Sequence, residues 1–401
     1  MTDLFWPGDE RADGLLDDAA LLSAMVGVEQ AWLEALAAEG VAPEAVVVDL
    51  SALVSAKDVP ALSLAAESGG NPVIGLISLL RERTDGETSR WLHRGLTSQD
   101  VVDTALVLTL RDAVARVDAE LRTQLTRLAD LAEQHRDDPM VGRTLTQHAV
   151  PITVGAKLSG WITSLADARD ALCAARPGLV IQVGGAAGTL AAPVELTGDV
   201  EQALTLVERT ARTLGLSASP PWHTARSPFT RVGDALVTCT DAWGHVAADV
   251  ATLSRPELAE LAEGSGGGSS TMPHKANPVL SVLLRRTALC SPSLAATLHL
   301  AAATTVDERP DGAWHAEWST LQQLGRRTVV AASHATELLG GLRISTDRMR
   351  ENLATAAGTD TEQRSMAALT GREPGSSYSG TAGVITDAAV RRVRTIAEDL
   401  S

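Results

Sequence analysis

An all-α fold is predicted by three features of this sequence: its composition, its unbroken apolar stripes at helical spacing, and its shortage of strand-forming residues. Aromatics make up 3% of the 401 residues, and eight of them are Trp. Strands favour Tyr, Phe, Val, Ile and Thr, whereas this chain leans on Ala, Leu and Arg, which fit a helix with little loss of side-chain freedom.

The first hundred residues read as short helices broken by turns. One runs from Leu21 to Ala38, with Leu22, Met25, Val28, Trp32 and Leu36 on one face. Gly40, Pro43, Pro60, Gly69, Gly70 and Pro72 punctuate the stretch beyond it. From Val101 to about His135 there is neither Gly nor Pro, and Val114, Val117, Leu121, Leu125 and Leu128 form one stripe. Such a helix is on the order of 50 Å long. A second stripe runs from Leu158 through Trp161, Leu165 and Ala168 to Leu172. A third comprises Val232, Leu236, Cys239, Trp243, Val246, Val250 and Leu253, and its helix is expected to continue to about Glu263. Further helices are expected at about 279–291 and 316–340. Stripes this long carry more apolar surface than a thin bundle hides, which predicts oligomerisation through the helices. The tail after about Arg343 reads as a small separate domain.

The net charge of −16 makes nucleic acid and anionic membranes poor partners. It also repels an anionic substrate at long range, so a few converging Lys, Arg or His residues must hold one locally. Cys173, Cys239 and Cys290 lie in apolar, helix-like stretches without metal-ligand spacing and read as small buried hydrophobes. The N-terminus lacks the basic and apolar regions of a leader, and no uninterrupted apolar run approaches the roughly 18 residues of a membrane span. The expected location is the cytoplasm.

Five segments concentrate chemistry. In Gly264–Pro278, GSGGGSSTMPHKANP, glycines precede two hydroxyls, Ser269 and Ser270, and then Met272, Pro273, His274, Lys275, Asn277 and Pro278. The glycines alone would suit a linker, but a linker needs no cation, amide or rigid turns behind them. Backbone N–H groups freed by glycine can face an anion, and such a loop can close over a ligand. The second segment, His93 to Asp100, enters the first long helix. Thr97 or Ser98 can cap it, and the same N-terminus beside His93 and Arg94 is an anion site. The third, Gly142 to Pro151, crowds Thr144, Gln147 and His148 just before an apolar helix. The fourth, Ile181 to Thr189, superficially suggests a dinucleotide fingerprint but comes after no convincing strand, and reads as a Gly-rich turn between helices. In the fifth, Asp307 to Trp318, Arg309 can clamp a carboxylate, while Trp314 and Trp318 read as core.

Together these segments resemble the fumarase/aspartase superfamily, over nearly the whole chain and in the same order. GSSTMPHKANP matches the signature GSSxMPxKxNP, and HRGLTSQDVVDTA and GRTLTQHAVP match the other two blocks. TSQDVVDTALVL, PWHTAR at Pro221 to Arg226, GGAAGTLAA and ERPDGAWHAEW are most similar to the cycloisomerase branch. The resemblance implies an all-α, three-domain fold with a central long-helix bundle: residues 1–100, 101–342 and 343–401. It also implies a homotetramer whose sites are each built from three subunits, and a small polycarboxylate as substrate. Ser269 falls on the serine that acts as carbon base in the lyases. Ser270, Lys275 and Asn277 fall on carboxylate contacts, with Met272 beside them. Thr97, Ser98, Thr144 and Gln147 match substrate contacts of the other blocks, and His148 joins them as a candidate contact.

One departure bears on mechanism. The lyases carry RTH in the third block, where that His assists the leaving group; here the position is Leu145. His148 is not its equivalent. The implied chemistry is lactonisation, in which a carboxylate adds across a conjugated double bond and a proton goes to the carbon α to another carboxylate. Ser269 or Lys275 shuttles that proton, Arg309 holds a carboxylate, and His93 is a second cationic or acid group. No metal or organic cofactor is called for. A fumarate-releasing C–N lyase of the same superfamily, such as adenylosuccinate lyase, and a catalytically silent helical scaffold are the rival readings.

Overall fold

The first helix, α1 (Asp18–Ala38), starts where the Asp17 carboxylate accepts the Ala20 N–H at 2.8 Å, and it buries the stripe Leu22, Met25, Val28, Trp32 and Leu36. This computed structural model describes residues 4–264, 267–268, 272 and 276–398. After α1 come α2 (Val59–Gly69), α3 (Pro72–Arg83) and α4 (Gly86–Trp91). Gly70, at φ 74°, ends α2 in the left-handed conformation, and Asn71 caps α3 ahead of Pro72.

The long helix α5 spans Ser98–Gln134, and all five residues of its predicted stripe are buried. Beyond it lie two strands, β1 (Pro139–Thr144) and β2 (Gln147–Thr153), then α6 (Val154–Ala175). The polar groups of residues 142–151 do stand just before an apolar helix, as expected, but they lie on a hairpin that the sequence did not announce. Met140, Val141, Val150, Ile152 and Thr153 have the β-branched or apolar character that pairing favours, but each strand is too short for the alternation to stand out.

Next come α7 (Ala191–Thr197), α8 (Val200–Thr213) and α9 (Ser227–Leu253). The third stripe is buried throughout, but α9 stops at Leu253 rather than running to Glu263. Pro256 explains this, because it bars Arg255 from helical ψ and offers no N–H of its own. A short strand β3 (Leu261–Ala262) pairs with β4 (Arg343–Ile344), which lies beyond α10 (Val279–Ala303) and α11 (Gly312–Gly341). Both helices are longer than expected. The tail forms α12 (Thr346–Thr355), α13 (Thr361–Thr370) and α14 (Ala382–Glu398).

The packing divides into two units. One comprises Met1–Arg116, Leu172–Leu236 and Pro292–Val329; the other comprises Val117–Ala171, Val237–Ser291 and Val330–Ser401. In the first, Trp32, Leu36, Leu76, Leu80, Leu106, Leu110 and Phe229 are buried, and Arg326 donates to both carboxylate oxygens of Asp9 at 2.6 and 2.9 Å. In the second, Trp161 and Trp243 are buried, and the Trp243 indole N–H donates to Gln124 at 2.7 Å. Cys239 is buried as expected, but Cys173 is exposed. Among the described residues two helices, α1 and α10, are long and apolar enough to cross a membrane by length and composition, and their most apolar stretches are 56% and 33% buried. Each is interrupted by charge, at Glu29 and Glu34 in α1 and at Arg285 and Arg286 in α10.

Candidate active site

The chain enters α5 through a turn that no ordinary sequence adopts freely. His93 has φ 62° and Gly95 φ 91°. A Cβ at Gly95 would sit 3.3 Å from the Trp32 ring and 3.2 Å from Pro193, so only glycine fits at that φ. The Trp32 indole N–H donates to the Arg94 carbonyl at 2.7 Å, and His93 Nδ1 lies 2.6 Å from Glu29 Oε1. Beyond the turn, α5 begins with its first-turn N–H groups behind Thr97 and Ser98. Arg309 donates to the Thr97 hydroxyl and, at 3.2 Å, to the Ala186 carbonyl. The anion site and the carboxylate clamp predicted from separate segments therefore share one corner of the first unit.

Beneath that corner lies a buried polar network that sequence reasoning missed. Asp100 accepts the Gly184 and Gly185 N–H groups at 2.9 and 3.0 Å, the Thr97 N–H at 2.9 Å, and contacts His223 Nε2 at 2.8 Å. The Gly-rich segment is a turn between helices, as expected, and it also clasps the start of α5, which the sequence did not announce. A Cβ at Gly184 would lie 2.8 Å from the His223 ring. One helical turn on, Asp103 receives both terminal nitrogens of Arg226 at 2.7 and 3.0 Å and the Trp314 indole N–H at 2.9 Å. Arg226 also bonds Glu317 at 2.6 Å.

Electrostatics in this network arise from burial. Desolvation pushes the Arg226 guanidinium down, but the Asp103 charge and the hydrogen bonds to Asp103 and Glu317 outweigh it, so its proton is held more tightly than usual. Burial pushes the Glu317 carboxyl up, Arg226 opposes this, and the Asp103 charge adds to it; the carboxyl ends above its ordinary range. Trp314 is core, as expected, packed edge-on to Trp318 at 4.7 Å, but its N–H is also part of the network. The signal available in the sequence was PWHTAR ahead of a helix and two carboxylates, Asp100 and Asp103, spaced three apart in the first turns of another.

In the second unit, Thr144 pairs with Gln147, so Leu145 and Thr146 form a two-residue connection with φ 48° and 70°. Two positive φ values are what a tight hairpin demands, but Asn-Gly is the usual occupant. Thr144, Leu145, Thr146, Gln147 and His148 are all exposed, Leu145 at 95%. The hairpin is anchored from below, where Arg143 makes a bidentate bond to the buried Glu260 at 2.9 and 2.6 Å.

The ends of the Gly-rich loop lie in the same unit. Glu263 accepts the Leu280 and Ser281 N–H groups at 3.0 and 2.8 Å and the Ser281 hydroxyl at 2.7 Å, capping α10. Gly267 and Asn277 exchange two backbone bonds of 2.9 Å. A Cβ on Gly267 would fall 2.2 Å from Val279, which is why glycine stands there. Met272 is 42% exposed. Ser269, Ser270, His274 and Lys275 lie outside the described residues.

The sequence pattern of a family described as Lyase matches residues 21–290. The chain belongs to the fumarase/aspartase superfamily of lyases. Within that superfamily it is similar to nitrosuccinate lyase of Streptomyces davaonensis, 41% identical over 373 residues, which cover 89% of this chain and 78% of that protein. It is also similar to 3-carboxy-cis,cis-muconate cycloisomerase of Bradyrhizobium diazoefficiens, 41% identical over 352 residues, 85% of this chain and 76% of the relative. Among solved structures, the 3-carboxy-cis,cis-muconate lactonizing enzyme of Pseudomonas putida superposes with a TM-score of 0.84 at 31% identity, covering 96% of this chain and 97% of that one. The chain is therefore an enzyme of this superfamily, with its all-α fold.

Proposed function

We propose that the protein is a 3-carboxy-cis,cis-muconate cycloisomerase, closing its substrate to 4-carboxymuconolactone in protocatechuate catabolism by the β-ketoadipate route. The observation that carries this is Leu145. Where the lyases assist a basic leaving group with histidine, this hairpin presents an apolar side chain, 95% exposed, between Thr144 and Gln147. Run backwards, lactonisation expels a carboxylate, which departs without an acid.

In this reading Arg309 and Thr97 hold one carboxylate at the α5 N-terminus with Ser98. His93 adds a second cationic or acid group. Thr144, Gln147, His148, Ser270, Met272 and Asn277 contact the rest of the substrate. The loop amides and Lys275 stabilise the enolate-like carboxylate, and Ser269 or Lys275 delivers the proton to the α-carbon. Only 3 of the chain's 34 Lys and Arg residues are Lys, so an amine at position 275 departs from the chain's strong habit of using Arg. The exposed hairpin and the exposed Val282, Leu289 and Leu300 along α10 support a homotetramer with sites shared between subunits, and a cytoplasmic location belongs to the same reading. The three-domain division at residues 100 and 342 belongs to the same reading.

The similarity to nitrosuccinate lyase supports a second reading. Elimination across the C–N bond of nitrosuccinate would expel nitrite, another anion that needs no acid. A C–N lyase such as adenylosuccinate lyase has a more basic leaving group, and Leu145 argues against it.

The deciding experiment offers three substrates to the wild type. Loss of diene ultraviolet absorbance with 3-carboxy-cis,cis-muconate is the expected result, and loss of that turnover in Lys275→Ala supports the loop assignment. Nitrite and fumarate released from nitrosuccinate, with no diene consumption, would replace the first reading by the second. Turnover of adenylosuccinate alone would sink both, and no turnover at all would leave the silent scaffold.

A further inference from the structure

We propose that Glu29 is a positioning residue of the active site, fixing the tautomer and supporting the charge of His93. This rests on the reading of His93 as a substrate-facing group. Glu29 lies mid-helix in α1, among the buried Met25, Val28, Trp32 and Leu33. Its side chain is fully buried; Oε1 lies 2.6 Å from His93 Nδ1, and Oε2 has no hydrogen-bond partner among the described residues. A carboxylate so placed is costly unless its environment needs the charge, and Leu or Met would complete the apolar face of α1. Fold stability alone therefore does not account for it.

His93 is constrained on its other side as well. Its left-handed φ of 62° is rare for a residue with a Cβ, and the Trp32 bond to Arg94 pins the next residue of the turn. Glu29 and Trp32 stand three residues apart on one face of α1, so a single helix sets both the ring and its backbone. With Nδ1 engaged by the carboxylate, Nε2 is the nitrogen left over, and it makes no hydrogen bond among the described residues. The side chain retains 19% exposure, enough for a ligand to reach it.

The carboxylate accepts the Nδ1 proton, which makes the neutral ring an Nε2 acceptor. When Nε2 gains a proton, the imidazolium and Glu29 form a buried pair, and Nε2–H donates to a substrate carboxylate. Without Glu29 the ring is free to place its proton on Nε2, and the charged form loses its counter-ion.

Two variants and one spectroscopic measurement test this. Glu29→Met fits the apolar surroundings and is expected to melt at or above the wild-type temperature. It should nevertheless lose at least about tenfold in kcat/KM, mostly through a raised KM. Glu29→Gln keeps an acceptor for Nδ1 without the charge and should fall between the two. In protein labelled with 15N-histidine, with the His93 resonance assigned from His93→Gln, long-range 1H–15N spectra at alkaline pH should show Nδ1 protonated in wild type and Nε2 protonated in Glu29→Met. An unchanged tautomer in Glu29→Met, or wild-type kinetics in both variants, overturns the proposal. If the wild type consumes none of the three substrates, the proposed function fails, while the tautomer still decides the role of Glu29.

Discussion

Arg226 and Glu317, 91 residues apart in the chain, close to 2.6 Å with each side chain only 1% exposed. Asp103 shares the same guanidinium, so one cation serves two buried carboxyl groups, and burial with the Asp103 charge pushes Glu317 towards its protonated form. A carboxyl held above its ordinary 4.5 binds its proton more tightly folded than unfolded. Its contribution to stability is therefore greatest below that value and declines as pH rises towards the elevated folded value. Urea midpoints measured across mildly acidic pH should fall with rising pH in wild type and flatten in Glu317→Gln. Parallel curves for the two proteins would contradict the assignment.

Removing the cation is a harsher change. Arg226→Met leaves Asp103 and Glu317 buried together without a counter-charge, a loss of about 3–5 kcal/mol. That is a large fraction of the roughly 5–15 kcal/mol that holds a folded domain. Thermal melts should show the deficit at neutral pH and partial recovery in acid, as Glu317 protonates. Arg226→Lys should not restore it, because an ammonium cannot fork across two carboxylates.

The hairpin tip should show a trade between stability and activity. Leu145 and Thr146 both occupy left-handed backbone, at about 1–2 kcal/mol per residue for side chains with a Cβ. Leu145→Asn with Thr146→Gly supplies the pair such turns prefer, and the melting temperature should rise. If the tip contacts substrate in the assembled enzyme, kcat/KM should fall at the same time. A stabilised variant of full activity would remove the tip from the site.

Glu263 should matter to the Gly-rich loop proposed to carry the proton transfer. Glu263→Ala strips the acceptor from two buried N–H groups and the Ser281 hydroxyl, and each orphaned group costs about 1–3 kcal/mol. Turnover should drop along with the melting temperature. Glu263→Gln, which retains one acceptor oxygen, should recover part of both.

Residues 98–134 and the stripes of α6 and α9 were legible because local period and the absence of Gly and Pro are properties of one stretch of chain. The family was legible because the loop and the two other blocks occur together and in order, although the second alone reads as a capped helix start. The polar network was not: Asp100 meets His223 across 123 residues, and acidic groups in a first helical turn have an innocent explanation in the helix dipole. Glu29 was within reach of the sequence: four residues after Met25 and three before Trp32, it falls on the apolar face of α1 itself, where a carboxylate is out of place. Its partner was not, because His93 meets it across 64 residues.

Asp9 and Arg326 give the packing an order in time. The residues that neutralise each other in the first unit are separated by 317 positions. At about 5–20 residues per second of synthesis, the acidic N-terminal segment emerges on the order of tens of seconds before its cation exists. No contiguous fragment shorter than most of the chain contains the whole of either unit, since each is assembled from three separate stretches. The nascent chain must therefore carry Asp9 without its counter-charge until α11 arrives with Arg326.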